Sequence, residues 1–520
     1  MARKNSTPTF THEIRLKTNL HQVRKLMIKF RALRELYNTV LGELFKRSQR
    51  MQSDTRYVET CKAYQKDKTN KDTQLAFDAL QREYELTQGH LQSFATSIKN
   101  QSYMSDHLDA HTTQVISDRA FDAYMKWRMG KRGKPRFKSW KQGIRSIQGK
   151  TNSCIFMNKK GKVKWGHLVM DCHYDVIDRY GVQAHALNSE VKYCRIVHRL
   201  IKGKNTFYVQ LVLKGTPLVK ANQQIGYQKP VGLDIGVSTI AAVSKEKALL
   251  TPLCQALESN QKSIHKLQRK MARSQRFNNP DNFKDSRFVK KDKHVHKKQG
   301  MIKKGKKTWT QSKTYQKDLR SLQDLHRKQR DKRQCLHNQL ANEVIALGNC
   351  INIEKNHYKA WQKGWFGKTI GFRAPSNFVQ TLTRKALKTG GRVEEINAWT
   401  AKLSQACHVC LGFHKKTLKE RTHTCNGNFI AQRDLYSALL ALYYDEEEIN
   451  IDSIRQDWES LDTVLKNAML VVHNSRMAGQ HVPDCLIPRQ IEKRECIQTS
   501  LSVIKQTECQ QYQQSEFNNR

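Results

Sequence analysis

Three acidic residues stand where the surrounding sequence is otherwise apolar. Asp234 lies inside VGLDIGVSTIAAVS, between Val231 and Ile235, just before a Gly-flanked turn at Gly236. Glu354 directly follows the alternation of Cys350, Ile351 and Ile353. Asp434 opens DLYSALLALYY, in which Leu435, Ala438, Leu439 and Leu442 recur at helical spacing. An ionised carboxylate on a buried strand is costly to desolvate without a partner, and a metal ion is the natural one. Taken singly, such acids also serve as turn formers, and Asp434 as a charge favoured at a helix N-terminus. Taken together, on two strands and a helix start, they can converge on two Mg2+ ions. Such ions sit about 4 Å apart across a scissile phosphate, one activating water and the other stabilising the leaving oxygen.

Between the second and third acids lies CHVC, with Cys407 and Cys410 in the spacing of a metal knuckle, and Cys425 follows 15 positions later. This pattern points to a Zn2+ site. A second C-x2-C would put its last ligand at position 428, which is Asn428. His423, two residues before Cys425, is the first candidate to complete a Cys3His set, ahead of His408 and His414. The other reading is a ribbon that has lost its metal. The 13 cysteines are odd in number and mostly scattered, which predicts reduced thiols rather than a disulfide framework.

The elements that must position these residues come in a definite order. Residues 9–18 alternate like a strand. From His21 to Arg47 the apolar residues Val23, Leu26, Met27, Phe30, Leu33, Tyr37, Val40, Leu41 and Leu44 predict an amphipathic helix. Helical patterning continues to about Met129, where GKRGKPRFKSW breaks it. Strands follow to about Lys214, with YCRIVHRLI, a KGKN turn and TFYVQLVLK forming a hairpin. This order predicts one β domain interrupted by a helical one.

The chain has 520 residues, 93 Lys and Arg against 46 Asp and Glu, and a net charge of +47. Two to four domains and a polyanionic partner are expected, and an ordinary metabolic enzyme is disfavoured. No apolar run approaches the ~20 residues that cross a bilayer, and the N-terminus lacks a signal-peptide core. A soluble, cytoplasmic protein with no membrane partner is expected. The densest basic stretch, Lys262 to Arg333, holds 25 Lys and Arg against 6 Asp and Glu. Its ends show helical patterning and its middle, residues 290–309, reads as a loop, giving a basic helical hairpin suited to phosphate backbones. Arg269, Lys270, Arg273 and Arg276 are its candidate contacts. A second candidate is GKPRFKSW, where Lys134, Arg136 and Lys138 alternate with Phe137 and Trp140. The plainer reading makes the latter an exposed basic turn anchored by two core aromatics.

GLDIG at Asp234, IEK at Glu354, CHVC…C and RDLYSA at Asp434 resemble, in order and spacing, the TnpB/OrfB proteins of insertion sequences, relatives of the type V CRISPR effectors. The resemblance covers about residues 10–445. It implies an α+β multidomain chain: a first wedge strand in 1–20, a helical recognition domain in 21–130 and a β-barrel wedge domain in 131–225. An RNase H-like RuvC nuclease domain would follow in 226–445, with the basic helical segment at 255–345 and a zinc-ribbon-like insertion at 400–430. Residues 446–520, outside the resemblance, are expected to form an acidic, Gln-rich and partly disordered tail. The resemblance further implies a guide RNA, recognition of double-stranded and single-stranded DNA, and cleavage with Mg2+ at Asp234, Glu354 and Asp434. It gives Cys407, Cys410 and Cys425 the zinc roles.

Three departures stand out. Tyr436 replaces the usual Asn two residues after the third acid, the fourth zinc Cys is absent, and Lys355-Asn356 follows Glu354 instead of Asp-Leu. They keep in play an RNA-guided binder with weak or no cutting. An actin-like ATPase shares the GLDIG-type loop but lacks its later phosphate loop here. The Asp…Glu…Asp order differs from the Asp-Asp-Glu of strand-transfer transposases.

Overall fold

The computed structural model describes residues 8–487, except 68, 141–142, 151–153, 219–227, 258, 292–293, 306, 418, 426–428 and 446–447. The architecture is mixed α/β, in two compact units that divide after Leu218.

In the first unit, strand β1 (Thr9–Lys17) is followed by five helices: α1 (Leu20–Gln52), α2 (Thr55–Lys66), α3 (Lys71–Glu83), α4 (Gln88–Asn100) and α5 (Ala110–Arg128). Strands β2 (Ser146–Gln148), β3 (Ile155–Met157), β4 (Val163–Trp165) and β5 (Leu168–His173) come next. Helix α6 (Val182–Asn188) precedes the long pair β6 (Val191–Ile201) and β7 (Lys204–Lys214). The seven strands form one antiparallel sheet in the order β2-β6-β7-β1-β5-β4-β3. Five helices thus leave and re-enter a single sheet. The alternation at residues 9–18 is β1, and the helical period from His21 is α1, which opens on an Asn19–Gln22 capping box. The β6–β7 turn is Lys202-Gly203, both at positive φ, as a tight two-residue hairpin demands.

The second unit is built on a five-stranded sheet of order β10-β9-β8-β13-β14. Its strands are β8 (Pro230–Ile235), β9 (Thr239–Val243), β10 (Ala248–Pro252), β13 (Cys350–Glu354) and β14 (Arg392–Ile396), with β11 (Arg287–Lys291) and β12 (His294–Lys298) intervening. β8, β9 and β10 are antiparallel, whereas β13 runs parallel to β8 and β14 parallel to β13. The β10-to-β13 connection contains α7 (Gln261–Asn278) and α8 (Lys313–Leu347). After β13 come α9 (Tyr358–Lys363), α10 (Gly367–Arg373) and α11 (Pro375–Lys388). Then follow α12 (Ala398–Ala401), the hairpin β15 (Thr422–Cys425) and β16 (Phe429–Gln432), α13 (Arg433–Leu442) and α14 (Ile451–Met477).

Alternation along the strands sends side chains to opposite faces of this sheet. Val231, Leu233, Ile235, Ile351 and Ile353 pack with Leu340, Ala341 and Val344 of α8 and Phe378 and Leu382 of α11. The other face carries α13 over β8 and β9 and α14 over β10, the two helices sharing one apolar cluster that includes Ile454, Leu461, Leu465 and Val472 of α14. The sheet is therefore the middle of three layers.

Two expectations change. The middle of the basic stretch is not all loop, because β11 and β12 pair from Arg287↔Lys298 to Lys291↔His294. Their Lys-rich alternation hides the strand period. The acidic tail is not an appendage in its first part, because α14 inserts an apolar stripe into the core while its polar faces set the composition. Residues 488–520 and Asn428 lie outside the described residues, as does the 225/226 domain boundary.

The packing of α13 on β8 is unusually close. A Cβ at Gly232 would lie 1.9 Å from the Ala438 carbonyl oxygen and 2.3 Å from the Leu442 nitrogen. Asn352 on β13 donates its side-chain amide to the carbonyls of Ala441 (3.1 Å) and Tyr444 (3.0 Å), closing the C-terminal end of α13. Gly232→Ala must push backbone against backbone. It is expected to cost about 3 kcal/mol or more, at the top of the overpacking range, read as a lowered urea midpoint of the purified protein.

Candidate active site and thiol centre

Asp234 is the next-to-last residue of β8 and Glu354 the last of β13. Leu233 pairs with Ile353, so the two acids follow one another's register on adjacent parallel strands. Gly232 and Asn352, two residues earlier on each strand, face α13, and period two carries Asp234 and Glu354 to that same face. Asp434 enters from above as the second residue of α13, whose start is capped by the Gln432 side chain accepting from Leu435 N–H at 2.7 Å. The helix runs its C-terminal end over Gly232 and its N-terminal end over Asp234. The three acids predicted from sequence thus meet at one end of the sheet.

Burial pushes the Asp234 carboxyl well above the usual range, and the charges of Asp434 and Glu354 push it further the same way. Arg433 opposes them only in part. Glu354 is also raised by burial, against the backbone N–H of Leu403. Asp234 is the centre of the set, since both other acids act on it. Asp434 is held by Arg433, with Nη2 at 3.2 Å from its Oδ1, and by the Thr239 hydroxyl, which donates to Oδ2 at 3.3 Å. Arg433 also donates through Nη1 to the Glu420 carbonyl at 2.9 Å. Such a partly compensated group of buried and half-buried carboxylates suits a divalent cation, which would relieve the charge that Arg433 leaves.

Sequence reasoning missed Thr239, Arg433 and Tyr358. Thr239 is delivered by the Gly236 turn, whose N–H donates to the Thr239 carbonyl at 3.0 Å. Tyr358, four residues past Glu354, is pushed up to about 12, first by burial and also by the charge of Asp234. The one available signal was proximity in sequence to a predicted acid.

Cys407, Cys410, Cys425 and His414 form the second centre, their ligating atoms all within 4.8 Å of one another. Here the structure corrects the sequence: His414, not His423, joins the cysteines. The Cys410 sulfur lies 2.9 Å from His414 Nε2. That hydrogen bond, above all, brings the Cys410 thiol down to about 6. Burial, with Cys410 and Cys407 beside it, sends the Cys425 thiol up to about 12. His423 is fully buried, approached by Lys416 Nζ, with its ring 4.5 Å from that of Tyr436. Burial lowers it to about 3, as expected of a neutral core histidine. His408 is equally committed. Its Nδ1 lies 2.7 Å from the Tyr436 hydroxyl, and its ring 4.3 Å from that of Trp458. Tyr436, the residue standing where Asn is usual, thus braces the thiol loop. Three sulfurs and one imidazole nitrogen are a tetrahedral donor set compatible with zinc.

The basic candidates divide. On α7, Arg269, Lys270 and Arg273 are exposed while Ile264 and Met271 are buried. Arg276 is spent internally, donating to the Gly300 carbonyl at 2.8 Å with its guanidinium 4.4 Å from the Phe283 ring. In GKPRFKSW, Asn38 of α1 clamps the Lys138 backbone at 2.7 and 3.0 Å. Lys134 sits over Phe45 at 5.0 Å and Lys138 over Tyr37 at 5.2 Å, while Arg136 is exposed. Phe137 and Trp140 are 56% and 74% exposed, so they are not core anchors.

Residues 376–440 match the family described as Cas12f1-like, TNB domain. That span includes the thiol centre and Asp434, and the match supports the resemblance to TnpB/OrfB proteins and their type V relatives. No curated protein matches the chain. Among solved structures, a Cas12f1–sgRNA–target DNA complex is 12% identical over 83% of this chain and 98% of that one, with a TM-score of 0.37. A CRISPR-Cas12f ternary complex is 11% identical over 81% of each chain, with a TM-score of 0.26.

His414→Ala is expected to abolish binding of one equivalent of zinc, measured by elemental analysis of the purified chain. His423→Ala should retain the metal while lowering thermal stability.

Proposed function

We propose, on the TnpB/OrfB resemblance and its Cas12f1-like support over residues 376–440, that this chain is an RNA-guided, metal-dependent DNA endonuclease. The observation that carries the reading is Asp234, half-buried beside Glu354 and Asp434 on two parallel strands and a helix start. The strand order, with the second strand antiparallel and the last two parallel to the first, supports an RNase H-like domain of the RuvC type. The curled antiparallel sheet of the first unit, in which β3 also packs on β6, supports the barrel-like wedge role, with α1 to α5 as the recognition helices.

Asp234, Glu354 and Asp434 would hold Mg2+, and Cys407, Cys410, Cys425 and His414 would hold Zn2+. Bound Mg2+ supplies water activation and charge neutralisation on the phosphate. The chain's own contribution is placement. Arg433 and Thr239 fix the two oxygens of Asp434 in different directions. Asp434 is buried and Asp234 and Glu354 are half-buried, which strengthens the charge interactions among them relative to open water. Guide RNA and DNA, double-stranded and single-stranded, would be held by exposed cations such as Arg269, Lys270, Arg273 and Arg136. Base pairing to the guide would supply sequence selection.

One observation favours a second reading, a guide-dependent binder that does not cut: Arg433 already pairs with Asp434. Cleavage of guide-matched DNA in Mg2+ decides. Asp234→Ala, Glu354→Gln and Asp434→Ala should each lower the rate by at least about a hundredfold while DNA binding persists. No cutting by the wild type under the same conditions assigns the binder.

Stability offers a check independent of cutting. A carboxyl whose folded value is raised contributes stability that is present in full below its unfolded value of about 4, and loses it as pH rises through the elevated folded value. At neutral pH in EDTA, Asp234→Asn should therefore raise Tm, by roughly 2–4 °C for each kcal/mol released. Mg2+ should raise the wild-type Tm and leave that of the variant nearly unmoved.

A further inference from the structure

The segment after Glu354 carries aromatic residues that the active site does not use. Trp365 is fully exposed and Phe366 is 48% exposed, at the turn between α9 and α10. An exposed pair of this size costs solubility and needs a use. The turn is built rather than slack. Gly364 N–H donates to the Trp361 carbonyl at 3.3 Å, and Gly367 N–H to the Gly364 carbonyl at 3.0 Å. A Cβ at Gly367 would lie 2.3 Å from the Gln362 carbonyl oxygen, so only glycine lets the chain fold back there. Trp365 and Phe366 are therefore held outward by backbone bonds.

Both ends of the segment are tied to the acid site. At its start, Tyr358 lies within the electrostatic reach of Asp234 and Glu354, and its ring meets that of Trp361 edge-on at 5.3 Å. At its end, Arg373 donates to the Ser238 carbonyl at 3.0 Å, in the turn that follows Asp234. Only α9, about 9 Å long at 1.5 Å per residue, separates Tyr358 from the tip. Between Glu354 and Arg373 the sequence contains no Asp or Glu, while Lys359, Lys363 and Lys368 are exposed around the aromatics. Aromatic faces set among lysines fit a strand with bases to stack and phosphates to pair, and fit an acidic or apolar protein surface less well.

We propose that Trp365, with Phe366 beside it, is a stacking platform for single-stranded DNA entering the Asp234–Glu354–Asp434 site. This rests on the nuclease reading for the identity of the strand. Stacking needs no base-specific hydrogen bond, so the platform accepts any sequence that guide pairing exposes. It grips a base a short distance from the acids and thereby sets how the neighbouring phosphate enters.

The test uses the full chain as purified and a short single-stranded DNA, unmatched to any guide, carrying 2-aminopurine. Binding is followed by anisotropy and by base fluorescence at about 0.3 M salt, where phosphate contacts are weakened. Trp365→Ala should weaken binding about 5- to 100-fold and abolish quenching, the loss expected for one base–aromatic stack, whereas Trp365→Phe should keep most of both. Unchanged Tm in the alanine variant excludes misfolding, since the side chain packs on nothing. Equal binding and equal quenching by wild type and Trp365→Ala overturn the platform, whether or not the protein cuts. So does unchanged DNA binding with a Trp365-dependent change in sedimentation, which assigns the tip to a second copy of the chain. Trp365-dependent quenching without any cutting in Mg2+ upholds the platform and sinks the nuclease reading instead.

Discussion

The second unit depends on the absence of a single methyl group. At Gly232 the backbone of α13 comes against the backbone of β8, closer than any side chain allows. That contact sets the height of α13 above the sheet, and Asn352 sets its position along the strands by gripping its C-terminal carbonyls. With the far end pinned, the near end is determined, and Asp434 arrives over Asp234. The placement of Asp434 is thus specified by contacts four to ten positions further along the chain. Backbone-to-backbone packing suits the task because it has no rotamers through which to relax.

The same fold that gathers the acids also disfavours the ionised forms of Asp234 and Glu354. Burial and mutual repulsion act in the same direction on Asp234, and Arg433 answers only part of it. A site of this kind stores unfavourable charge, which a divalent cation releases on binding. The thiol centre shows the complementary arrangement. His414 favours the Cys410 thiolate, while Cys425, buried beside the other two sulfurs, keeps its proton. A cation among the sulfurs would favour the thiolate at Cys425 as well.

What was legible in the sequence had a local signature. The acids stood out because a carboxylate inside an apolar run violates a strong preference, and β1, α1 and the β6–β7 hairpin because their periods are clean. The order of a strand, helices and returning strands was legible too, and it is seen in β1, α1 to α5 and the strands that follow. The failures share another cause. His414 and His423 are the same residue type nine positions apart, and only the hairpin pairing His423↔Ala431 sends one of them into the ring cluster. The apolar stripe of α14 was diluted by polar residues on its other faces, so composition spoke for a tail. Gly232 gave no signal, because a glycine's meaning lies in what approaches it from elsewhere in the chain.

The first turn of α13 joins the two centres. Arg433 binds the Asp434 carboxylate with one edge of its guanidinium, and the Glu420 carbonyl of the loop before β15 with Nη1. Two residues beyond Asp434, the Tyr436 hydroxyl accepts the His408 N–H at 3.0 Å, next to Cys407. The thiol loop therefore rests on the same helical turn that carries the third acid. The position faces the thiol loop, and the long phenol reaches the His408 backbone N–H. This contact makes the thiol centre more than a local staple. Anything that loosens Cys407–Cys425 withdraws support from Tyr436 and frees the Glu420 carbonyl, and through Arg433 it acts on Asp434. The acids themselves stay anchored to the sheet by β8 and β13, so such loosening acts on the placement of one carboxylate and leaves the other two where the strands hold them.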